Sequence, residues 1–223
     1  MRDTGVMNTG VPPRAADGAR LGTTLTRRAV IDAATGAYLR GEAVDMSALA
    51  AHLGIGRSTL YRLAGNRDEL LAVVLAEATE RTFRRAAAGA TAEGGIDLVL
   101  DVINRFMHAV IDAEPLQTLC KNEPLVFIRL ALLPGPVEQT AAKLIAEMLQ
   151  TEITAGRLET SLPATNLSHA IVRMCDAHLY APLLGGTKPE IDTALDLVAA
   201  LLSHLNKPET GLGLGSWDGS DAR

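Results

Sequence analysis

The chain has 223 residues, enough for one large domain or two small ones, and 48% hydrophobic with 21% charged residues excludes intrinsic disorder. Aromatics are only 3% while Ala and Leu abound, which favours helices over strands. There is no apolar run of about 18 residues, no apolar stretch at the N-terminus, and only Cys120 and Cys175. These exclude a spanning helix, a signal peptide, a disulfide framework and a four-cysteine zinc site, and predict a cytoplasmic protein with reduced thiols. The net charge of −5 is uneven: residues 1–66 hold eight Arg against five acids (+3), and residues 67–223 hold 13 basic and 21 acidic residues (−8). A basic first third on an acidic body points to an anionic partner at one end.

Residues 1–23 are rich in Gly, Thr, Pro and Arg, lack periodicity, and read as a flexible arm carrying Arg14 and Arg20. Thr24–Thr26 can cap a helix over Arg27–Gly41, whose Val30, Ala33, Ala34, Ala37 and Tyr38 recur at helical spacing. Asp45 caps a short helix, Met46–Leu53, ended by Gly54, and a second short helix runs from about Gly56 to Leu63. Asn66 caps a long helix with Asp68 and Glu69 in its first turn, where the macrodipole favours acids.

Longer helices follow. Ile96–Ala113 is apolar through Leu100, Ile103, Met107 and Val110. Pro115 and Pro124 break Leu116–Leu133 into two pieces. The turn Pro134-Gly135-Pro136 opens a helix to about Ala155, and Pro163 opens another to about Leu184. Pro189–Leu205 is the last helix, and the tail 207–223, with Trp217, has loop composition. The expectation is an all-α chain of about nine helices: residues 24–71 as one domain, 72–206 as a helical bundle.

Gly54, preceded by Ala50, separates two short helices, and this is the pattern of a helix-turn-helix: a small residue for close approach and a glycine for a positive φ. The second helix carries Arg57, Ser58, Thr59, Tyr61 and Arg62, hydrogen-bonding residues at a helix start, where base edges are read. Ala170, Met174, Ala177 and Ala181 form a small-residue stripe, and Leu195, Val198, Leu202 and Leu205 an apolar one; together they are a candidate dimer interface, and either alone reads nearly as well as an intradomain core face. Residues 28–71 resemble the DNA-binding domain of the TetR family of bacterial repressors. The matching parts are Ser47-x-Leu49-Ala50, Leu53-Gly54-Ile55, Ser58-Thr59-Leu60-Tyr61 and Asn66-Arg67-Asp68-Glu69-Leu70-Leu71, about a fifth of the chain.

The resemblance implies roles. Arg57 and Ser58 approach bases, and Thr59 touches a base or phosphate. The Tyr61 hydroxyl meets a phosphate, as does Arg62 where His is usual. Arg67 stands where a Lys binds phosphate, and Ser47 at a first-turn phosphate position. Two departures stand out: Gly56 replaces a Ser or Thr cap, and Leu63-Ala64 replaces a Tyr-Phe pair, whose missing plug must come from elsewhere, with Tyr38 and Leu70 as candidates. The family also implies a homodimer, a palindromic double-stranded DNA operator and release by a small-molecule effector, with no membrane partner. Pocket candidates are Phe106, Met107, Phe127, Met148, Met174, Asp176 and His178; Arg173 and Asp176, three apart, are spaced to pair on one helix face.

No cofactor, metal or catalytic residue is expected. There is no G-x-S-x-G, P-loop or H-E-x-x-H motif, and the Gly211–Gly215 run follows no strand. The alternative reading is a helical protein–protein interaction module without specific DNA binding.

Overall fold

The computed structural model describes residues 26–205. Helix α1 (Arg27–Leu39) starts where the Thr26 hydroxyl accepts from the Ala29 amide at 3.3 Å. Helix α2 (Met46–His52) starts where the Asp45 carboxylate accepts from the Ala48 amide at 2.6 Å. Each such cap contributes about 1 kcal/mol. Helix α3 (Arg57–Ala64) has Gly56 at its cap position and no side-chain cap bond. Helix α4 (Arg67–Ala88) opens with a reciprocal box: the Asn66 side chain accepts from the Glu69 amide, and the Glu69 carboxylate accepts from the Asn66 amide. Between α2 and α3, Gly54 has φ +66° and the Ile55 amide donates to the Ala50 carbonyl at 3.0 Å. A Cβ there would touch nothing within 4 Å, so the backbone angle alone requires glycine.

The rest of the chain is α5 (Gly95–Ile111), α6 (Glu114–Asn122), α7 (Pro124–Phe127), α8 (Pro136–Thr154), α9 (Ala164–Leu179) and α10 (Ile191–Leu205). The fold is all-α among the described residues, close to the expected helix number. Three boundaries differ from the sequence reading. Pro115 lies inside the first turn of α6, where its missing N–H costs nothing, so the helix opens at Glu114 and not at Leu116. Helix α7 widens into a π turn over Ile128–Leu132, which periodicity does not signal. Helix α9 stops at Leu179, short of Leu184: Pro182 has no N–H for the His178 carbonyl, which accepts from the Glu190 amide at 3.0 Å instead.

Two buried clusters meet along α4. One joins Val30, Ala34 and Tyr38 of α1 to Leu49, Leu60, Leu70 and Leu71, and it takes in Leu119, Phe127 and Ala131 from α6, α7 and the π turn. The other joins Phe83 of α4 to α5, α8, α9 and α10 through Ile103, Met107, Leu149, Ile171 and Val198. The first cluster therefore continues beyond residue 71 and recruits α6 and α7 across the chain. Leu70 and Tyr38 are both buried in it beside Leu60 and Ala64, and Phe127, fully buried, supplies a large aromatic side chain from α7.

The apolar stripe on α10 is not a free face. Val198 and Leu202 are buried within the protomer because α10 packs on α5 and α9. On α9, Ala170 and Ala177 are exposed, whereas Met174 is half-buried against the core and Ala181 is buried. Arg173 does not pair with Asp176; its Nε donates to Glu138 at 3.2 Å. The arm with Arg14 and Arg20, and the tail with the Gly211–Gly215 run and Trp217, lie outside the described residues.

Candidate functional site

Helix α3 turns Leu60 and Ala64 into the core and Arg57, Ser58, Tyr61 and Arg62 to solvent. The 3.6-residue period makes this unavoidable: positions 57, 58, 61 and 62 fall on one side, 60 and 64 on the other. Thr59 is half-buried on the flank, and Ser47 is half-buried at the second position of α2. Arg57 and Arg62 have no ion-pair or hydrogen-bond partner among the described residues. An exposed helix start with unpaired guanidinium groups is a surface suited to a polyanion.

Arg67 is placed differently. It is half-buried, and its two terminal nitrogens donate to the Glu123 carboxylate at 2.6 and 2.8 Å. Its Nε donates to the Val44 carbonyl at 2.7 Å. The next residue, Asp68, pairs with Arg129 of the π turn. The first turn of α4 is therefore tied by two ion pairs to the α6–α7 segment. No local signal reveals Glu123, which lies 56 residues away in sequence.

A small apolar cavity of about 80 Å³ lies where α1, α4, α5, α7, α8 and α9 converge. Phe106, Phe127 and Asp176, expected from the sequence, line it. Met107 does not: it is fully buried in the α5–α8–α9 core. Met148 and Met174 are half-buried against that same core, since the faces they occupy point between helices and away from the cavity. His178 is also off the wall; its Nδ1 lies 2.9 Å from Glu190, which the chain reversal after α9 brings alongside. The sequence reading missed Tyr38, which reaches the cavity from α1, together with Thr79 and Thr82 of α4, Glu138 of α8 and Tyr180. Their positions depend on how separate helices converge, which no single-helix pattern encodes.

The polar wall is acidic. Glu138 is 7% exposed; burial opposes its charge, but bonds from His169 and Arg173, both at 3.2 Å, hold its carboxyl below the usual range. Asp176 has no hydrogen-bond or ionic partner among the described residues. Burial, then the nearby Glu138 charge, push it up to about 7. Tyr180 stacks edge-to-face on Phe127, with centroids 5.0 Å apart, and burial raises its hydroxyl well above the ordinary value. The Cys120 and Cys175 thiols are pushed up by burial to about 11 and about 12, so neither is poised as a nucleophile.

Residues 94–203 match the family described as "Tetracyclin repressor-like, C-terminal domain". The chain is also similar to the TetR-family transcriptional repressor QsdR of R. erythropolis, at 51% identity over 85% of this chain and 100% of that one, with a TM-score of 0.79. The chain belongs to the TetR family. The TetR-family repressor AlkX of Dietzia sp. strain DQ12-45-1b, described as implicated in biodegradation of n-alkanes, shares the fold at 21% identity (83% of this chain, 100% of that one, TM-score 0.59). No curated protein matches the chain. As a TetR-family member the protein is a DNA-binding transcriptional regulator. No helix among the described residues is long and apolar enough to cross a membrane.

Proposed function

We propose that the protein is a homodimeric repressor that binds a palindromic operator and leaves it when a small molecule fills the cavity between α1, α4 and α8. The observation that carries this reading is the cavity wall. Tyr38 belongs to α1, and Leu75, Ala78, Thr79 and Thr82 belong to α4, the helix that begins at Arg67 beside the recognition helix. A ligand that needs more room presses on α1 and α4, which flank the helix-turn-helix. The effect is a two-state equilibrium: reversing a 99:1 population requires about 10⁴-fold tighter binding to the released state.

Arg57 and Ser58 are the proposed base-reading residues; Ser47, Thr59, Tyr61 and Arg62 hold phosphates. Arg67 joins that phosphate set only after letting go of Glu123. Residues 72–206 supply the effector and dimer domain, with the exposed α9 face around Ala170 and Ala177 and the exposed Leu197 of α10 as the pairing surface. A two-fold dimer then reads half-sites about one helical turn, or 34–36 Å, apart.

Selection of genomic DNA fragments by the purified protein at roughly 0.15 M salt tests this. An enriched inverted repeat is expected. Retention without sequence enrichment, lost on modest salt addition, would leave only non-specific electrostatic binding and return the interaction-module reading.

A further inference from the structure

The cavity discriminates by charge. Among the described residues that line it there is no Lys, Arg or His. Its two carboxyl groups are unequal: Glu138 is hydrogen-bonded to His169 and Arg173, while Asp176 faces the space with no partner among the described residues. The remaining polar groups are the hydroxyls of Thr79, Thr82, Tyr38 and Tyr180. A carboxylate or phosphate entering here would lose its hydration, find no cation, and approach a second acid. Outside the wall, Arg173 is held on Glu138, and Arg81, Arg85 and Arg105 line a neighbouring cleft that shares Tyr38, Ala78, Thr82 and Ala113 with the cavity wall.

Resting on the proposal that this cavity is the effector site, we infer that its ligand is a mainly aliphatic molecule whose polar head carries no negative charge and exchanges a hydrogen bond with Asp176. Two kinds of head satisfy this chemistry. An uncharged alcohol or ester meets a carboxyl that is able to donate or accept; an ammonium meets the carboxylate. Both share the exclusion of anions, which follows from the wall composition. The aliphatic body follows from the wall of Leu75, Val110, Leu116, Val137 and Val172. Glu138 from α8 and Tyr180 face Asp176 from the neighbouring elements, Tyr38 from α1 lines the same cavity, and none of them supplies a positive charge.

The test uses the full-length protein and four probes of one chain length: octan-1-ol, methyl octanoate, octylamine and octanoate. Binding is read by calorimetry at pH 8, and operator release by fluorescence anisotropy. Octanoate is expected to bind at least tenfold more weakly than the best of the other three, and Asp176→Asn is expected to bring that ratio to within about threefold. Whether octylamine or the uncharged pair binds tighter identifies the head. Octanoate binding that equals the others, or that depends on Arg85→Ala and not on Asp176→Asn, would overturn the inference. If octanoate alone released the operator, the cavity would stand as the effector site while the charge rule failed. If no probe bound, both readings would fall. Far-UV circular dichroism and a cooperative thermal transition of Asp176→Asn verify that the variant is folded.

Discussion

Arg67 at the first position of α4 grips Glu123 at the junction of α6 and α7, with both guanidinium–carboxylate bonds shorter than 3 Å and a third bond to the Val44 carbonyl. This half-buried fork joins the start of α4 to a segment that also carries Leu116 and Phe127, two residues of the cavity wall. Under the proposed phosphate role of Arg67, Glu123 and a DNA phosphate compete for one guanidinium. Glu123→Gln is therefore expected to raise operator affinity severalfold for all sequences and to steepen the salt dependence by about one unit. Arg67→Ala should remove that increment, and the double variant should show a coupling of about 0.5–3 kcal/mol in a thermal or denaturant cycle.

Arg57 and Arg62 should behave differently from each other, although both are exposed and unpaired. Arg57→Ala is expected to cost about 1–3 kcal/mol at the preferred operator and to relax one base position. Arg62→Ala should weaken specific and non-specific DNA alike and reduce the salt slope by about one unit. Anisotropy titrations at several salt concentrations, with operators permuted at each position, separate the two. Unchanged affinity for both variants would reject the docking of α3 in the major groove.

Asp176 sets a pH dependence. Its carboxyl titrates at about 7 in the folded chain, above its ordinary value of 3.8. The folded state therefore binds the proton more tightly than the unfolded state, and stability falls as pH rises from about 4 through 7. The full effect is on the order of 4 kcal/mol. Asp176→Asn should remove most of this slope and melt above the wild type at pH 8. Denaturant unfolding at pH 5, 6.5 and 8 measures it.

Gly65 should not tolerate a side chain. Its φ is +75°, and a Cβ would stand 1.9 Å from a Glu69 carboxylate oxygen that is held by the α4 capping box. Gly65→Ala combines backbone strain of about 1–3 kcal/mol with loss of part of that cap. A fall in melting temperature accompanied by weaker operator binding is expected, because the same turn sets the angle between α3 and α4.

Ala78 lies on α4 at the cavity wall. Ala78→Leu fills part of the space and is expected to abolish effector response while leaving operator affinity within about threefold of wild type. Operator anisotropy with and without probe measures both. A retained response would move the effector elsewhere.

The helix-turn-helix was legible because its determinants are local. Gly54 requires a positive φ, Asp45 and Asn66 cap the helices that follow them, and the 3.6-residue period alone places Arg57, Tyr61 and Arg62 opposite Leu60 and Ala64. Helical periodicity says which residues share a face; it does not say what that face meets. Met107, Met148 and Met174 satisfied the pattern of a pocket stripe and belong to the packed core, while Tyr38, on a helix read as part of the DNA-binding domain, lines the cavity. Arg67 was legible as a cation at the start of α4 but not as the partner of Glu123, because an ion pair across 56 residues exists only once α4 and α6 have packed. Residue type and spacing determined the helices, their caps and the solvent-facing side of α3; the convergence of α1, α4, α5, α7, α8 and α9 decided which side chains enclose the cavity, since burial depends on the partners that tertiary packing brings.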